Sequence, residues 1–256
     1  MAKLRAVVLA AGRGVRMGGR TPKTLLPLGD REPMLHYILS GLRAAGVDDL
    51  LVVTGFEPAK IQGFVDEHWD GGEVTYVFNA RFASWGNFHS LRVALDQSPG
   101  MNVLVANSDV IVHPDVYART AATQGDLVLA VQKREPHRLD QEDMRVELQR
   151  DRILSIGKAI KHARSHGEFA GVSLLRPPAA RLYTNLATNL EWRSTTTGYY
   201  EDIFGVMLPR LDARAALVGA DEYAEVDTPA DVDAAIAVIE RHGAAWAGTE
   251  AAAPAG

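Results

Sequence analysis

The run "LRAVVLAAGRGVRMGGRTPK", Leu4 to Lys23, decides the fold. Its first seven residues, Leu4 to Ala10, are apolar and β-branched enough for a strand buried on both faces. The fourteen residues from Ala10 to Lys23 then hold four glycines, three arginines and a Pro-Lys pair. A glycine-rich turn directly after a first buried strand is where open α/β sheets hold phosphates.

Working outward, short β-rich runs alternate with helical patterns. "EPMLHYILSGLRAAG" predicts a helix with Pro33 in its first turn and Gly46 as its stop. "LLVVTG", "EVTYVFN", "MNVLVANSD" and "DLVLAVQ" read as strands. "PAKIQGFVDEHW", "NFHSLRVALDQ" and "HPDVYARTAAT" read as the helices between them. Repeated β-α-β implies a Rossmann-like, mostly parallel twisted sheet with helices on both faces. After Lys133 the texture changes. "MRVELQRDRILSIG" predicts two antiparallel strands turning at Gln149 to Arg152, and "GEFAGVSLLR" a further strand. "PPAARLYTNLATNLEW" and "GYYEDIFGVMLPRL" look helical. "EYAEVDTPADVDAAIAVIERHG" predicts a short strand, Thr228 as N-cap and a helix to about Arg241. The expected organisation is one domain over 1–242: a core of 1–133 and 212–242, a small β-rich insertion over about 134–211, and a flexible tail at 243–256.

Bulk properties narrow the function classes. The 256 residues are 47% hydrophobic and 23% charged, an ordinary globular balance. The net charge of −5 argues against a dedicated nucleic-acid binder. The absence of cysteine removes disulfides, thiolate metal sites and a cysteine nucleophile. No run approaches a membrane span, so the expectation is a soluble cytoplasmic protein with no nucleic-acid or membrane partner.

The glycine loop departs from two familiar phosphate cradles. A Walker A loop needs glycine directly before its lysine, and here Pro22 precedes Lys23. A dinucleotide fingerprint needs a third glycine where Met17 stands, Gly18 coming one residue late. Such a cradle also recognises pyrophosphate through backbone N–H groups and has no need of Arg13, Arg16, Arg20 and Lys23. Fixed cations suit attack at the α-phosphorus of a nucleoside triphosphate, where charge grows on the equatorial oxygens and on the departing pyrophosphate.

"VVLAAGRGVRMGGRTPKTLLPLGDREPMLHY" resembles the opening of the nucleotidyltransferases that join a nucleoside triphosphate to a phosphate-bearing acceptor. Their pattern runs L-A-A-G-x-G-x-R-M, a short gap, then P-K. Within that superfamily, "VFNARFASWGNFHSLRVAL", "NSDVIV", "ILSIGKAI…GEFAGVSLL", "YYEDIF" and "AEVDTPADVDAA" are similar to the cytidylyltransferases acting on phosphocholine and phosphonates. The resemblance reaches to about Arg241. It implies the nucleotide-diphospho-sugar transferase type of fold and transfer of CMP from CTP, with Mg²⁺ as cofactor. The acceptor it implies is a small phosphate- or phosphonate-bearing molecule.

The candidate site follows. Arg16 and Lys23 are the catalytic cations. Asp109, at the end of "MNVLVANSD", and Asp227, closing "AEVD", sit at strand ends where ligands bind. The resemblance implies that both hold Mg²⁺. Each has a plain structural alternative: a turn-forming aspartate for Asp109, a helix-start aspartate for Asp227. Ala10, Ala11, Gly12 and Gly14 are placed on the nucleotide, with Asn87 and Ser90 reading the base. Asn87 is equally suited to capping a helix. Relatives often have two consecutive asparagines where this chain has Gly86 and Asn87, which leaves CTP, UTP and dTTP all open. Lys158, Glu168, Tyr200, Glu201 and Asp202 are expected at the acceptor. Glu201 and Asp202 would meet an acceptor cation or a second metal, against the alternative of an exposed acidic first turn. A sugar-1-phosphate nucleotidyltransferase and a non-catalytic nucleotide-binding regulatory module are rival readings; a glycosyltransferase of similar architecture is a third, but its usual D-x-D is absent, as "NSDV" offers one aspartate. The oligomeric state is open, a homodimer included.

Overall fold

The structure is a computed structural model and describes residues 2–135, 142–193 and 196–247. Strand β1 (Leu4–Ala10) lies between β4 (Asp49–Thr54) and β6 (Asn102–Asn107), parallel to both. Successive side chains of a strand point to opposite faces. Val7 and Leu9 accordingly enter one core, and Ala6, Val8 and Ala10 the other. A helix layer covers each face. Helices α1 (Met34–Ala44), α2 (Pro58–His68) and α4 (Pro114–Ala122) pack on one face through Leu35, Ile38, Leu42, Ile61, Val65 and Tyr117. Helices α3 (Phe88–Asp96), α5 (Pro177–Trp192) and α6 (Tyr200–Met207) pack on the other through Phe88, Leu91, Tyr183, Tyr200 and Phe204. Burying each such side chain is worth about 1.5–3 kcal/mol, which makes the two-layer arrangement the dominant stabilising feature.

The main sheet has nine strands in the order β5-β4-β1-β6-β11-β8-β12-β10-β9. The remaining members are β5 (Glu73–Phe78), β8 (Leu127–Lys133), β9 (Arg145–Gln149), β10 (Arg152–Ile156), β11 (Gly167–Leu175) and β12 (Ala213–Val218). β5, β4, β1, β6, β8 and β12 run one way; β11 runs against β6 and β8, its neighbours. The expected hairpin over 145–156 is present, antiparallel and at the sheet edge. Two features differ from the sequence reading. β11, expected within an insertion, occupies the middle of the sheet, with every residue buried. β12, "ARAALV", was not anticipated as a strand, because three of its six residues are alanines with little β preference.

Two small pairs complete the molecule. β2 (Pro27–Leu28) pairs with β3 (Arg31–Pro33), so Pro33 ends a strand and the helix starts at Met34. β7 (Val110–Val112) pairs antiparallel with β13 (Tyr223–Glu225). Helix α7 (Val232–Ala247) runs past the expected Arg241 limit, with a non-helical residue at His242. Trp246, 5% exposed, anchors that last turn through an indole N–H donated to the Tyr37 carbonyl at 3.1 Å. The expected tail from 248 onward lies outside the described residues. No helix among the described residues is long and apolar enough to cross a membrane.

Candidate active site

Because β1, β4 and β6 are parallel, their carboxyl ends share one edge of the sheet, and the glycine loop leaves β1 there. The loop is shaped by two tight 3-10 turns, Val15–Met17 and Lys23–Leu25. Gly14 sits at φ +63°, a left-handed conformation costly for other residues. A Cβ there would stand 2.4 Å from Lys23 Cβ, so glycine at 14 is what lets Lys23 fold against the loop. Arg13 is a staple: its guanidinium donates to the Gly19 carbonyl at 3.0 Å and lies over the Phe56 ring.

Asp109 and Asp227, far apart in sequence, are brought together by β7 and β13. Val110 faces Glu225 in that pair, and Val226 N donates to Asp109 O at 2.8 Å. Lys23 Nζ bridges the two carboxylates, 2.6 Å from Asp227 Oδ1 and 3.4 Å from Asp109 Oδ2. Arg16 Nη1 reaches Asp227 Oδ2 at 2.9 Å. The helix-start alternative for Asp227 fails: Asp231 accepts from Thr228 N and from Asp227 N, and so does the capping. Asp109, Glu225 and Asp227 each place a carboxylate oxygen within 4.8 Å of the others. Asp109 Oδ1 is buried with no hydrogen-bond partner. A buried carboxylate oxygen without a donor is costly to leave so, and an all-oxygen anionic cluster is the donor set that suits a hard divalent cation. Glu225 was missed in the sequence, although the alternation in "EVD" puts its side chain on the same face as that of Asp227. Crowding by protein and then by Asp109 and Asp227 pushes its carboxyl up to about 7.

Two cavities meet at these carboxylates. The smaller, about 360 Å³, is walled by the loop, by Asn79 and Ser90, and by Trp85 to Asn87. Ala11, Gly12 and Gly14 line it, whereas Ala10 faces the opposite core and does not. Ser90 Oγ accepts from Asn79 Nδ2 at 2.9 Å, a buried pair that sequence reasoning saw only in half. Asn87 Oδ1 accepts from Tyr200 N at 2.9 Å, so its carbonyl orients α6 and it makes no side-chain cap of α3. Gly86 has its own reason: a Cβ there would meet the Gly198 carbonyl at 2.0 Å. Phe88 is core, and Trp85 stacks on it at 6.0 Å.

The larger cavity, about 690 Å³, shares Arg16, Asn87, Asn107, Asp109 and Asp227 with the first. Its walls include Lys158, Glu168, Tyr199, Glu201 and Glu225. Lys158 Nζ is 2.9 Å from Glu142 and sits over the Tyr199 ring. Glu168 is 4% exposed and 2.8 Å from Arg134, yet burial pushes it up to about 8. Burial likewise pushes Glu201, 5% exposed, up to about 8, and its Oε2 has no hydrogen-bond partner. Two expected acceptor residues are elsewhere. Tyr200 is wholly buried and donates to Asn107 Oδ1 at 2.8 Å. Asp202 is exposed and accepts from Tyr199 N at 2.8 Å, capping α6. In a helix the next residue turns about 100° away, so of "YED" only Glu201 enters the cavity.

The MobA-like NTP transferase domain matches residues 6–182. Over 125 residues the chain is 35% identical to the CMP-5'-(3-aminopropyl)phosphonate synthase of Streptomyces rubellomurinus, covering 46% of this chain and 19% of that protein. Over 108 residues it is 27% identical to the choline-phosphate cytidylyltransferase of Streptococcus pneumoniae, covering 41% of this chain and 45% of that protein. The chain thus spans less than half the length of these relatives. The inositol-1-phosphate CTP transferase from T. maritima superposes with a TM-score of 0.77 at 20% identity, over 94% of this chain and 98% of that one. That likeness establishes the nucleotide-diphospho-sugar transferase type of fold. With the family match running from β1 into α5 and taking in the loop, Asn87 and Asp109, the chain belongs to the family of MobA-like NTP transferase domains.

Proposed function

We propose that this protein is a Mg²⁺-dependent nucleotidyltransferase moving CMP from CTP to a small acceptor that carries a phosphate or phosphonate at one end and a cationic nitrogen at the other. The observation that carries the reading is the seam at Asp109 and Asp227, where a loop-walled cavity and an acid-walled cavity meet. A donor in the first and an acceptor in the second present their reacting atoms to the same two carboxylates. The similarity to the phosphonate and choline-phosphate relatives supports a cytidylyl donor.

An ionised acceptor oxygen attacks the α-phosphorus in line. The new P–O bond forms as the bond to the β-phosphate oxygen breaks, and pyrophosphate leaves with that electron pair. No base and no covalent enzyme intermediate are required, so the protein's part is positioning and charge stabilisation. Asp109 and Asp227, with Glu225 beside them, would hold the Mg²⁺. When bound, the ion neutralises phosphate charge and orients the phosphates. Lys23 and Arg16, paired with those carboxylates in the free protein, would pair instead with the triphosphate and the leaving group. The backbone of Ala11 to Gly14 approaches the nucleotide closely because no side chain intervenes at Gly12 or Gly14. Glu201 and Glu168 take the acceptor's cationic nitrogen, and Lys158 its anionic end.

A pyrophosphate-release screen tests this, pairing four NTPs with aminoalkyl- and hydroxyalkylphosphonates, phosphocholine and sugar-1-phosphates. Release is expected with CTP and a nitrogen-bearing phosphonate or phosphocholine. Release only with sugar-1-phosphates would move the acceptor class. Nucleotide binding without release from any pair would replace the enzyme by a binding module.

A further inference from the structure

Glu32 in β3, His36 in the first turn of α1 and His68 at the end of α2 converge on the face of the molecule covered by α1 and α2. None of them lines either cavity of the cleft. One ligand atom from each lies within 4.8 Å of the other two. Two further observations set the group apart from a chance meeting of polar side chains. His68 Nδ1 is 2.8 Å from the Phe64 carbonyl oxygen. A carbonyl only accepts, so the proton of the neutral ring lies on Nδ1 and the lone pair on Nε2. That is the tautomer-fixing bond found behind metal-ligating histidines. The His68 ring is also stacked on Phe64, centroids 3.9 Å apart and 9° from parallel, and stands edge-on to His36 at 6.0 Å. Both rings are half-buried, while Glu32 is exposed and leaves an entry from solvent.

The geometry points to a second metal site at Glu32, His36 and His68, taking a borderline divalent transition ion such as Zn²⁺ and chemically distinct from the oxygen-only cluster in the cleft. Two imidazoles and a carboxylate are a zinc donor set, with solvent in the fourth position. Zinc bonds of about 2.0–2.1 Å bring tetrahedral ligand atoms to about 3.4 Å from one another, so the cluster closes by small side-chain rotations. A bound ion ties β3 and the start of α1 to the end of α2. Binding to the folded state alone raises Tm by about 5–10 °C at a hundredfold excess over Kd.

The test uses the full chain carrying Asp109→Asn and Asp227→Asn, which removes two of the three carboxylates of the cleft cluster and leaves only Glu225. It is titrated with Zn²⁺ by calorimetry and with Co²⁺ by visible absorption. One ion per chain is expected, with an imidazole-bound Co²⁺ spectrum. Adding His36→Gln or His68→Gln should weaken binding at least tenfold and abolish the Tm rise, with circular dichroism unchanged. Glu32→Gln should weaken it less. No binding to the background chain, or binding that survives both histidine substitutions, overturns the proposal.

Discussion

The two cavities that meet at Asp109 and Asp227 are built in opposite ways. The smaller is walled on one side by the backbone and small residues of the glycine loop, with cations folded onto it, and on the other by Asn79, Ser90 and Trp85 to Asn87. The larger is walled by carboxyl groups from well-separated segments, two of them buried and pushed up to about 8. A loop that reads phosphates through backbone and fixed cations serves any nucleotide. Buried carboxyls that stay protonated when alone suit one kind of partner, because ionising them is favourable only beside a cation. Under the proposed function, the first cavity would carry the chemistry and the second the acceptor choice.

The hardest blow to that division is at the seam. Asp109→Asn is expected to lower kcat for pyrophosphate release by about 10²–10³-fold in steady-state assays, since it removes a charge both cavities use. Turnover near wild type would mean the cavities do not share a catalytic centre. Next comes Gly14→Ala, which strains a left-handed residue by about 1–2 kcal/mol and drives a methyl into Lys23. If the loop holds the nucleotide as proposed, the variant should cut kcat and raise KM for the nucleotide, with KM for the acceptor unmoved. Equal damage to both KM values would erase the distinction.

Glu201→Gln tests the other side. Hydrogen bonds to charged groups are worth about 1.5–3 kcal/mol, so KM for a nitrogen-bearing acceptor should rise about 10- to 100-fold while KM for CTP holds. Titration sharpens the same point. With carboxyls pushed up to about 8, Glu201 and Glu168 are mostly neutral at pH 7 in the free protein. Acceptor KM should fall as pH rises from about 6.5 to 9, less steeply in Glu201→Gln. The stability consequence has the opposite sign. The unfolded chain releases the Glu201 proton near 4.5 and the folded chain near 8, so the cost of ionising it is absent below the first value and complete above the second. Thermal melts should show Glu201→Gln gaining on wild type between pH 5 and pH 9. The smallest effect belongs to Asp202→Ala, which removes the α6 cap for about 1 kcal/mol of stability and leaves both KM values in place.

Legibility in the sequence divided along the same line. The loop, its cations and the two aspartates at the seam were readable because strand ends and glycine turns have local signatures. Glu225 was within reach, as alternation in "EVD" puts it beside Asp227. Tyr200 and Asp202 misled, because neighbours in sequence point different ways around a helix, and only the packing of α6 against Asn87 and Asn107 sets which one faces the cavity. Asn79 behind Ser90 had no local signal at all.

Apolar runs, their spacing and turn chemistry were enough for an α/β sheet with a cation-bearing glycine loop at its edge, since each rests on interactions a few residues long. Which strand lies beside which was another matter. That β11 enters the middle of the sheet, that β13 and the residues after it carry Glu225 and Asp227 up to Asp109, and that Glu201 Oε2 is left buried without a partner all depend on contacts between distant segments. Such contacts are chosen by the fit of whole surfaces, which no single stretch of sequence contains.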